Sequence, residues 1–348
     1  MNRFNQKKLT KLMALVLSAT ITLGLVGCGT NNSKDTSNAS NTKVSAEKEA
    51  DKKSNYPVTI KNYKYSKEPV EMTFEKAPEK VVAVYQNSIE TLLALGLEDK
   101  IVAAAGLDHP VKPEYEEAFK KINYLEEFTP SKENIVMQKP DFILGWYSLF
   151  DEKRLGEVDY WQQNGTNTYM SLNSGVLEKS TMQNEIDDIL NIGKIFNVED
   201  RAQKLVDEIT NKVEEVSKSV KDKEKVKTMV IEFGKDNIRV YGENTLAGDM
   251  INKLGAELVK TEGKSIGAED LISANPDCIF VSYMDRGDEN VPKEAVNKIL
   301  ENPAYASLSA VKNKRIYAIP LGDMYSSGIR TIDGINAFAK GLYPDLAK

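Results

Sequence analysis

Arginine is scarce in this chain, and three of its positions suggest where a ligand would be held. Only seven of the 46 basic residues are arginine. Arg154, Arg286 and Arg330 fall in loops that follow or lie near the ends of predicted strands. A guanidinium is a permanently charged planar fork with five donors, and it matches planar anionic oxygen groups better than a lysine ammonium does. These three side chains are therefore predicted to bind an anionic ligand.

Six aromatic residues near the same strand ends could give that ligand broad contact surfaces. Tyrosine and tryptophan combine a rigid apolar ring with a polar tip. The candidates are Tyr85, Trp146, Tyr147, Tyr241, Tyr283 and Tyr325. Because loops are hard to place from sequence, we expect about half of the aromatic and arginine candidates to touch ligand and the others to lie in the rim or the core.

The single histidine restricts the metal chemistry that the chain could support. Sites for free zinc or manganese gather several histidine and carboxylate ligands, which His109 alone cannot supply. No direct metal site is therefore predicted. A histidine before proline in a turn needs no functional explanation, although axial ligation of a haem by His109, Tyr85 or Met284 stays open.

Motifs for catalysis are missing from the sequence. It contains no Gly-x-Ser-x-Gly and no His-Glu-x-x-His, and Ser326-Ser327-Gly328 lacks the flanking residues and the histidine partner of a nucleophile elbow. The chain is therefore predicted to be a binding protein rather than an enzyme.

A repeated phrase predicts two copies of one structural unit that would position the candidate residues. The phrase Glu133-x6-Pro140-Asp141-x-Ile143-x3-Tyr147 recurs as Glu269-x6-Pro276-Asp277-x-Ile279-x3-Tyr283. Each copy predicts a short helix with the glutamate, a Pro-Asp turn and a buried strand. The tyrosine then lies past the carboxyl end of the strand, where open α/β sheets bind ligands. Two such ends facing each other would form a cleft between lobes.

The first 55 residues have the pattern of an export signal and a linker. Four cations precede an apolar stretch over 12–26 that is too short to span a membrane, so residues 1–27 are predicted to be a signal peptide. Leu25-Val26-Gly27-Cys28 resembles the lipobox of bacterial lipoproteins, in which the cysteine is acylated; the alternative is an ordinary secreted protein with a chance cysteine. Residues 28–55 are polar and are predicted to be a disordered tether. Cys278 lies in an apolar run and is predicted to be buried.

The remaining residues are predicted to fold into two α/β lobes. About 290 residues are more than one hydrophobic core usually organises. We predict an N-terminal lobe over 56–196 and a C-terminal lobe over 223–348. Strand-like runs cover 58–60, 70–74, 80–85, 101–105, 228–233 and 238–241, and helical runs cover 88–95 and 246–254. The net charge is −6 and no basic cluster follows the signal, which disfavours nucleic-acid binding.

An apolar stripe predicts one long helix between the lobes, over residues 197–222. Apolar residues recur every three or four positions in a charged sequence, which is the period of an amphipathic helix. They are Val198, Ala202, Leu205, Ile209, Val213, Val216 and Val220. Asn197 is the predicted N-cap. A coiled-coil partner is the competing interpretation, but about three heptads are few for one, so we favour a single helix packed along both lobes.

Several stretches resemble the substrate-binding lipoproteins of ABC importers for iron complexes, haem and vitamin B12. The stretches are Pro78-Glu79-Lys80-Val81-Val82, residues 88–97, and Ala310-Val311-Lys312-Asn313-Lys314-Arg315-Ile316-Tyr317. The resemblance implies two Rossmann-like lobes joined by a single long interdomain helix, the class III periplasmic-binding-protein fold. It also implies that one glutamate per lobe docks onto arginines of the permease, and Glu133 and Glu269 match those positions.

The resemblance and the arginines together predict an anionic ferric siderophore as the cargo. The expected partners are the permease and ATPase of an ABC importer. The protein would be a monomer without a cofactor, anchored through Cys28 to the outer face of the cytoplasmic membrane. Haem or cobalamin stays open as cargo, and a surface adhesin or a hydrolase stays open as a different class of function.

Overall fold

The computed structural model describes residues 55–259 and 265–346. Residues from Lys53 onward form one compact unit, so the predicted lobe boundaries stay predictions. We use the terms N-terminal lobe for 56–196 and C-terminal lobe for 223–348. The predicted signal peptide, Cys28 and nearly all of the tether lie outside the described residues.

The N-terminal lobe contains two sheets and five helices among the described residues. In chain order they are β1 Val58–Tyr63, β2 Pro69–Phe74, β3 Val81–Val84, α1 Gln86–Ala94, β4 Ile101–Ala105, α2 Glu116–Phe119, α3 Lys132–Gln138, β5 Phe142–Gly145, α4 Val158–Gln163, β6 Asn167–Met170 and α5 Met182–Ile195. The order β4-β3-β5-β6 is parallel throughout, and β3 and β5 are buried along their whole length. Continuous apolar runs are typical of parallel strands that are covered on both faces.

The hairpin of β1 and β2 is joined to the edge strand of that sheet by one asparagine. The side-chain amide of Asn62 donates to the carbonyl of Met170 at 3.1 Å, and its oxygen accepts the Met170 N–H at 2.8 Å. Asn62 is fully buried, so these two bonds replace the water that its amide would otherwise need.

The C-terminal lobe repeats the parallel core of the first lobe. Its elements follow α6 Glu199–Val220 and are β7 Lys227–Phe233, β8 Ile238–Val240, α7 Leu246–Lys253, β9 Glu257–Leu258, β10 Ser265–Ile266, α8 Ala268–Ala274, β11 Cys278–Tyr283, α9 Val291–Leu300, α10 Ser309–Lys312, β12 Ile316–Pro320 and α11 Thr331–Leu342. The parallel order β9-β7-β11-β12 matches β4-β3-β5-β6. The second copy of the fold is therefore visible in the sheet order as well as in the sequence.

Two strands of the C-terminal lobe, β8 and β10, have no counterpart in the N-terminal lobe. β8 runs antiparallel to β7, with Ile231 opposite Val240 and Phe233 opposite Ile238. Only residues 234–237 connect the two strands, and Gly234 N–H donates to the Asn237 carbonyl at 2.9 Å. So short a loop can close a hairpin but cannot make the crossover that a parallel pair needs.

The long helix α6 confirms the predicted single helix and corrects its cap. It has 22 residues and packs against α5 and α11, with Ala202, Ile209, Val216 and Val220 buried. The predicted Asn197 cap is wrong, because Val198 is the N-cap and no side chain caps the helix. Asn197 instead has a φ of 55°, and its N–H donates to the Lys194 carbonyl. It ends α5 in the left-handed conformation that asparagine tolerates.

The repeated phrase has the same structural role in both lobes. α3 and α8 each have seven residues and end at a left-handed residue, Lys139 or Asn275, before the proline. The carboxylate of Asp141 accepts the N–H groups of Glu79 and Lys80, both at 2.9 Å. Asp277 accepts the N–H of Lys227 at 3.2 Å. Each aspartate thus holds the start of its strand beside the central strand of the sheet.

Cys278 is fully buried in β11, as the apolar run predicted. Burial raises the pKa of its thiol to about 12. Among the described residues, none of the helices combines the length and apolar character that a membrane span requires.

Candidate functional site

Two of the candidate aromatic residues directly follow central strands of the N-terminal lobe. Tyr85 follows β3 and Trp146 follows β5, so both lie at the carboxyl edge of the parallel sheet. Tyr85 has a φ of 77°, which is rare for a residue with a side chain, and its N–H donates to the Ala105 carbonyl at 2.8 Å. Such backbone strain is found mainly at functional sites and costs roughly 1–3 kcal/mol.

An aromatic row crosses from one lobe to the other at this edge. We give this name to Phe128, Tyr85, Trp146 and Tyr325. The centroid distances are 5.9 Å from Phe128 to Tyr85, 4.6 Å from Tyr85 to Trp146 and 5.6 Å from Trp146 to Tyr325. The indole N–H of Trp146 donates to the Asn87 side-chain oxygen at 2.7 Å, which fixes the ring. Tyr325 is the one member of the row that the C-terminal lobe supplies.

Three exposed arginines lie against aromatic rings of this region. We call Arg154, Arg239 and Arg286 the arginine trio. Arg154 donates to the Tyr85 hydroxyl at 3.1 Å. The Arg239 guanidinium lies 4.7 Å from the ring centroid of Tyr241 and 5.9 Å from that of Tyr325. The Arg286 guanidinium lies 4.8 Å from the Phe128 ring. All three are exposed to solvent, so their charge can meet a ligand from outside.

Arg330, the third arginine predicted from sequence, lies apart from this group. Its side chain is 10% exposed and pairs through Nε and Nη2 with Glu90, which is fully buried. It also lies 3.4 Å from Asp323 and donates to the Pro110 carbonyl at 2.8 Å. Burial raises the pKa of Asp323 to about 7, although the Arg330 charge opposes the shift. Arg330 therefore ties the C-terminal lobe to α1.

Three predicted tyrosines are also placed away from the aromatic row. Tyr147 stacks on Tyr65 with centroids 4.5 Å apart and donates to its carbonyl at 2.9 Å. Tyr241 is fully buried and donates to Glu232 at 2.7 Å. Its ring is thus fixed beneath the Arg239 guanidinium. Tyr283 meets the His109 ring edge-on at 5.8 Å.

Sequence reasoning missed two residues of the candidate site, Phe128 and Arg239. Arg239 had a usable signal, because it is one of the seven arginines and stands between two apolar residues of a strand. Such alternation places it on the solvent face of the strand. Phe128 follows Glu126 and Glu127 in a loop, and no pattern around it indicates that the loop reaches the sheet edge.

His109 is buried where the two lobes meet, with 4% of its surface exposed. Its Nδ1 lies 3.2 Å from an Asp285 oxygen, and its Nε2 lies 3.3 Å from the Gly322 backbone nitrogen. Both ring nitrogens are thus engaged by the protein itself. Within residues 55–259 and 265–346, no cluster of three histidine, cysteine or acidic residues is arranged to hold a metal ion.

The two repeated glutamates are exposed at the second position of their helices. Glu133 lies in the first turn of α3 and Glu269 in the first turn of α8. Glu133 borders a pocket of about 610 Å³ that Lys153 and Arg154 also line. One member of the arginine trio and one predicted docking residue therefore lie on the same pocket.

The protein is similar to known binding proteins over most of its length. The chain is 25% identical over 342 residues to the uncharacterized ABC transporter substrate-binding lipoprotein YvrC of Bacillus subtilis, covering 96% of this chain and 97% of that protein. It is 25% identical over 263 residues to the ferric-anguibactin-binding protein FatB of Vibrio anguillarum, covering 71% of this chain and 76% of that protein.

A solved structure shows the same fold. A periplasmic binding protein from Veillonella parvula shares 36% identity and a TM-score of 0.78, covering 84% of this chain and 93% of that chain. The family model described as periplasmic binding protein matches residues 81–321, which is more than half of the chain and includes both parallel sheets. With its two Rossmann-like lobes and single connecting helix, the chain belongs to the periplasmic binding protein family.

Proposed function

We propose that this protein is an extracytoplasmic lipoprotein that captures an anionic ferric siderophore and delivers it to an ABC importer. The observation that carries the proposal is the arginine trio around an aromatic row that crosses the lobe boundary. Guanidinium groups suit the negatively charged oxygens around a ferric ion, and aromatic rings suit the flat organic arms of a chelator. Similarity to a ferric-anguibactin-binding protein supports this cargo class.

In this proposal some of the candidate residues contact the cargo and the others have a structural role. Arg154, Arg239 and Arg286 bind the chelate oxygens, while Tyr85, Trp146 and Tyr325 form the contact surface. Tyr241 supports Arg239, whereas Tyr147 stacks on Tyr65, Tyr283 packs against His109 and Arg330 pairs with Glu90, so these four residues are structural in this proposal. The ferric ion is held by the chelator rather than by protein ligands.

Haem is the second candidate cargo. Met284 follows β11 and is 40% exposed, so its thioether is accessible at the carboxyl edge of the sheet. A methionine or tyrosine can serve as an axial ligand. A Soret absorbance change on mixing with haem, lost in Met284→Ala, would favour this cargo.

Delivery requires that the protein stay near its permease and present both lobes to it. We propose that Cys28 carries the lipid anchor and that Glu133 and Glu269 meet arginines of the permease. Paired charges on two lobes would steer docking and fix its orientation. Cys28→Ala should release the protein from membranes; if it still sediments with them after a high-salt wash, the anchor is elsewhere.

Tryptophan fluorescence tests the cargo proposal, because the two tryptophans lie in different places. Trp146 belongs to the aromatic row, whereas Trp161 is 2% exposed and donates to the Leu155 carbonyl. A ferric catecholate, hydroxamate or citrate should quench the wild type saturably. Trp161→Phe should keep most of the quenching and Trp146→Phe should lose most of it. Binding of haem or cobalamin without any ferric siderophore would overturn the cargo.

A further inference from the structure

A short loop of the C-terminal lobe crosses to the N-terminal lobe beside the aromatic row. We call residues 285–287 the cross-lobe strap. The backbone N–H of Arg286 donates to the Asp108 carbonyl at 3.0 Å, while the Arg286 guanidinium lies over Phe128. Arg286 and Gly287 have φ values of 47° and 92°, and Asp285 accepts the Gly287 N–H at 3.1 Å. The strap is thus a tight turn that depends on contacts at both ends.

His109 is the N-terminal-lobe partner of this strap. The Gly322 N–H can only donate, so Nε2 of His109 must carry the lone pair that accepts it. Nδ1 then carries the proton and donates to Asp285. The neutral imidazole therefore donates one hydrogen bond to the loop after β11 and accepts one from the loop after β12. A Cβ on Gly322 would lie 3.1 Å from the ring, so glycine leaves the space that the imidazole fills.

The backbone of His109 is equally well held. The side-chain oxygen of Gln86 accepts the N–H groups of Asp108 and His109 at 3.0 and 3.1 Å. Gln86 is the first residue of α1 and directly follows Tyr85. The chain of contacts thus runs from the strained tyrosine of the row, through Gln86 and His109, to the strap that carries Arg286.

The charges around the imidazole come from three parts of the chain. Asp285 belongs to the strap, Glu90 to α1, and Arg330 and Asp323 to the segment between β12 and α11; the Tyr283 ring packs edge-on. Burial lowers the pKa of His109, while Asp285 and Glu90 raise it and Arg330 lowers it. The net shift is downward, so the neutral form is favoured in the folded protein. A second proton would remove the lone pair that accepts the Gly322 N–H.

We propose that His109 is a positioning residue for the cargo site: it holds Arg286 over Phe128 by binding Asp285 across the lobe boundary, and a second proton on its ring keeps this ion pair but sets Nε2–H against the Gly322 N–H and displaces the ring. The hydrogen bond between His109 and Asp285 is present in the structure without cargo. Its effect on cargo affinity rests on the proposed function.

The contact can be tested without cargo by proton NMR, because the chain contains one histidine. In protein without a histidine tag, the imidazole C–H resonances should titrate with a midpoint below the ordinary value of 6.5. Asp285→Ala should move the midpoint lower still, since it removes the carboxylate that favours the charged ring. A midpoint at or above 6.5 that Asp285→Ala leaves unchanged would overturn the contact.

The effect on cargo is tested by a double-mutant cycle with a ferric siderophore that binds the wild type. His109→Ala and Arg286→Ala should each weaken binding roughly tenfold, and the double variant should be little weaker than either. His109→Asn, which can keep one of the two hydrogen bonds, should be intermediate and guards against a misfolded alanine variant. Fully additive losses would reject the positioning role.

The pH profile supplies a readout that a purely structural role would not move. Wild-type affinity should fall as the pH drops through the midpoint measured by NMR, and this step should be absent in His109→Ala. The same step in the variant would overturn the proposal. If no ferric siderophore binds the wild type, the proposed function fails, whereas the NMR titration still decides whether His109 holds the strap.

Discussion

Each arginine of the trio is restrained by an aromatic residue before any ligand arrives. Arg286 rests on Phe128, Arg239 on Tyr241, and Arg154 on the Tyr85 hydroxyl. A side chain that is already ordered loses less conformational entropy when it binds. Cation–π attraction adds about 0.5–1 kcal/mol at an exposed site. A lysine at these positions would keep the charge but lose the planar fork.

Replacing an arginine of the trio should therefore weaken cargo binding. We expect Arg239→Ala and Arg286→Ala each to cost roughly 1.5–3 kcal/mol, or about ten- to hundred-fold in Kd, because a hydrogen bond to a charged group is lost. Lysine should restore only part of the loss. Fluorescence titration with a ferric siderophore provides the measurement.

Lys235→Ala is the matched control, since this exposed cation lies in the same hairpin as Arg239. It should bind as the wild type does. An equal loss of affinity in Lys235→Ala would mean that any nearby positive charge has the same effect. Unchanged affinity in both arginine variants would remove Arg239 and Arg286 from the site.

At the scale of elements, the sequence predicted well those strands and helices whose apolar runs are bounded by clear turn signals. β4 Ile101–Ala105 has the predicted bounds, β7 and α7 differ from prediction by one residue at one end, and β3 is one residue shorter at each end. The repeat was informative for a physical reason. The proline ends the helix, and the aspartate accepts backbone N–H groups at the start of the neighbouring strand. β8 had a clear strand pattern but no signal for its antiparallel direction beyond a short loop.

The candidate site was harder to predict than the fold, because side-chain partners lie far apart in the sequence. Arg330 follows a strand as Arg286 does, yet Glu90 lies 240 residues earlier and holds it at the lobe boundary. No local pattern distinguishes an arginine that pairs with a buried carboxylate from one that faces solvent. Phe128 joins the site only because the loop after β4 folds back over the sheet edge.

The segment Gly328–Arg330 packs closely against helices α1 and α5 of the N-terminal lobe. The backbone N–H groups of Ser327 and Gly328 donate to Glu185 of α5 at 3.0 and 2.6 Å. Gly328 has a φ of 54°, and a Cβ there would lie 2.6 Å from the Thr91 hydroxyl and 3.3 Å from the Asn87 carbonyl oxygen. Both the backbone conformation and the contact with α1 therefore require glycine.

Gly328→Ala should destabilise the protein more than Gly165→Ala does. Gly165 also has a positive φ, 78°, but nothing lies within 4 Å of the added Cβ. We expect roughly 1 kcal/mol for Gly165→Ala from the backbone alone, and about 1–3 kcal/mol more for Gly328→Ala from overpacking. Urea unfolding of both variants gives the comparison. Equal losses would mean that the lobe boundary relaxes around the methyl group.

At the scale of the whole molecule, the lobes are joined by charged and polar contacts as well as by α6. Arg330 pairs with Glu90, Lys112 with Asp333 at 2.8 Å, and Glu185 accepts two backbone N–H groups of the other lobe. Burial raises the pKa of Glu185. Breaking a buried pair leaves an uncompensated charge, so these contacts favour one relative position of the lobes. A fixed position would present Glu133 and Glu269 to a permease at a constant spacing.

Docking and cargo binding should therefore separate in glutamate variants. We expect Glu133→Ala and Glu269→Ala to leave cargo affinity and Tm nearly unchanged but to lower iron uptake by cells, with the double variant worse and lysine at both positions worst. Glu208→Ala, an exposed glutamate on α6, is the control and should transport normally. Normal uptake by the double variant, or a loss explained by reduced stability, would leave the glutamates only their favourable interaction with the helix dipole.

The central claim, capture of an anionic ferric siderophore, is tested most directly by native mass spectrometry in competition. The protein is mixed with equal amounts of a ferric catecholate, a ferric hydroxamate, ferric citrate, haem and cobalamin, and the retained mass is read. We predict retention of one intact ferric siderophore per protein molecule, and loss of that species in the Arg239→Ala, Arg286→Ala double variant. Retention of haem or cobalamin alone, or a ferric species that survives in the double variant, would contradict it.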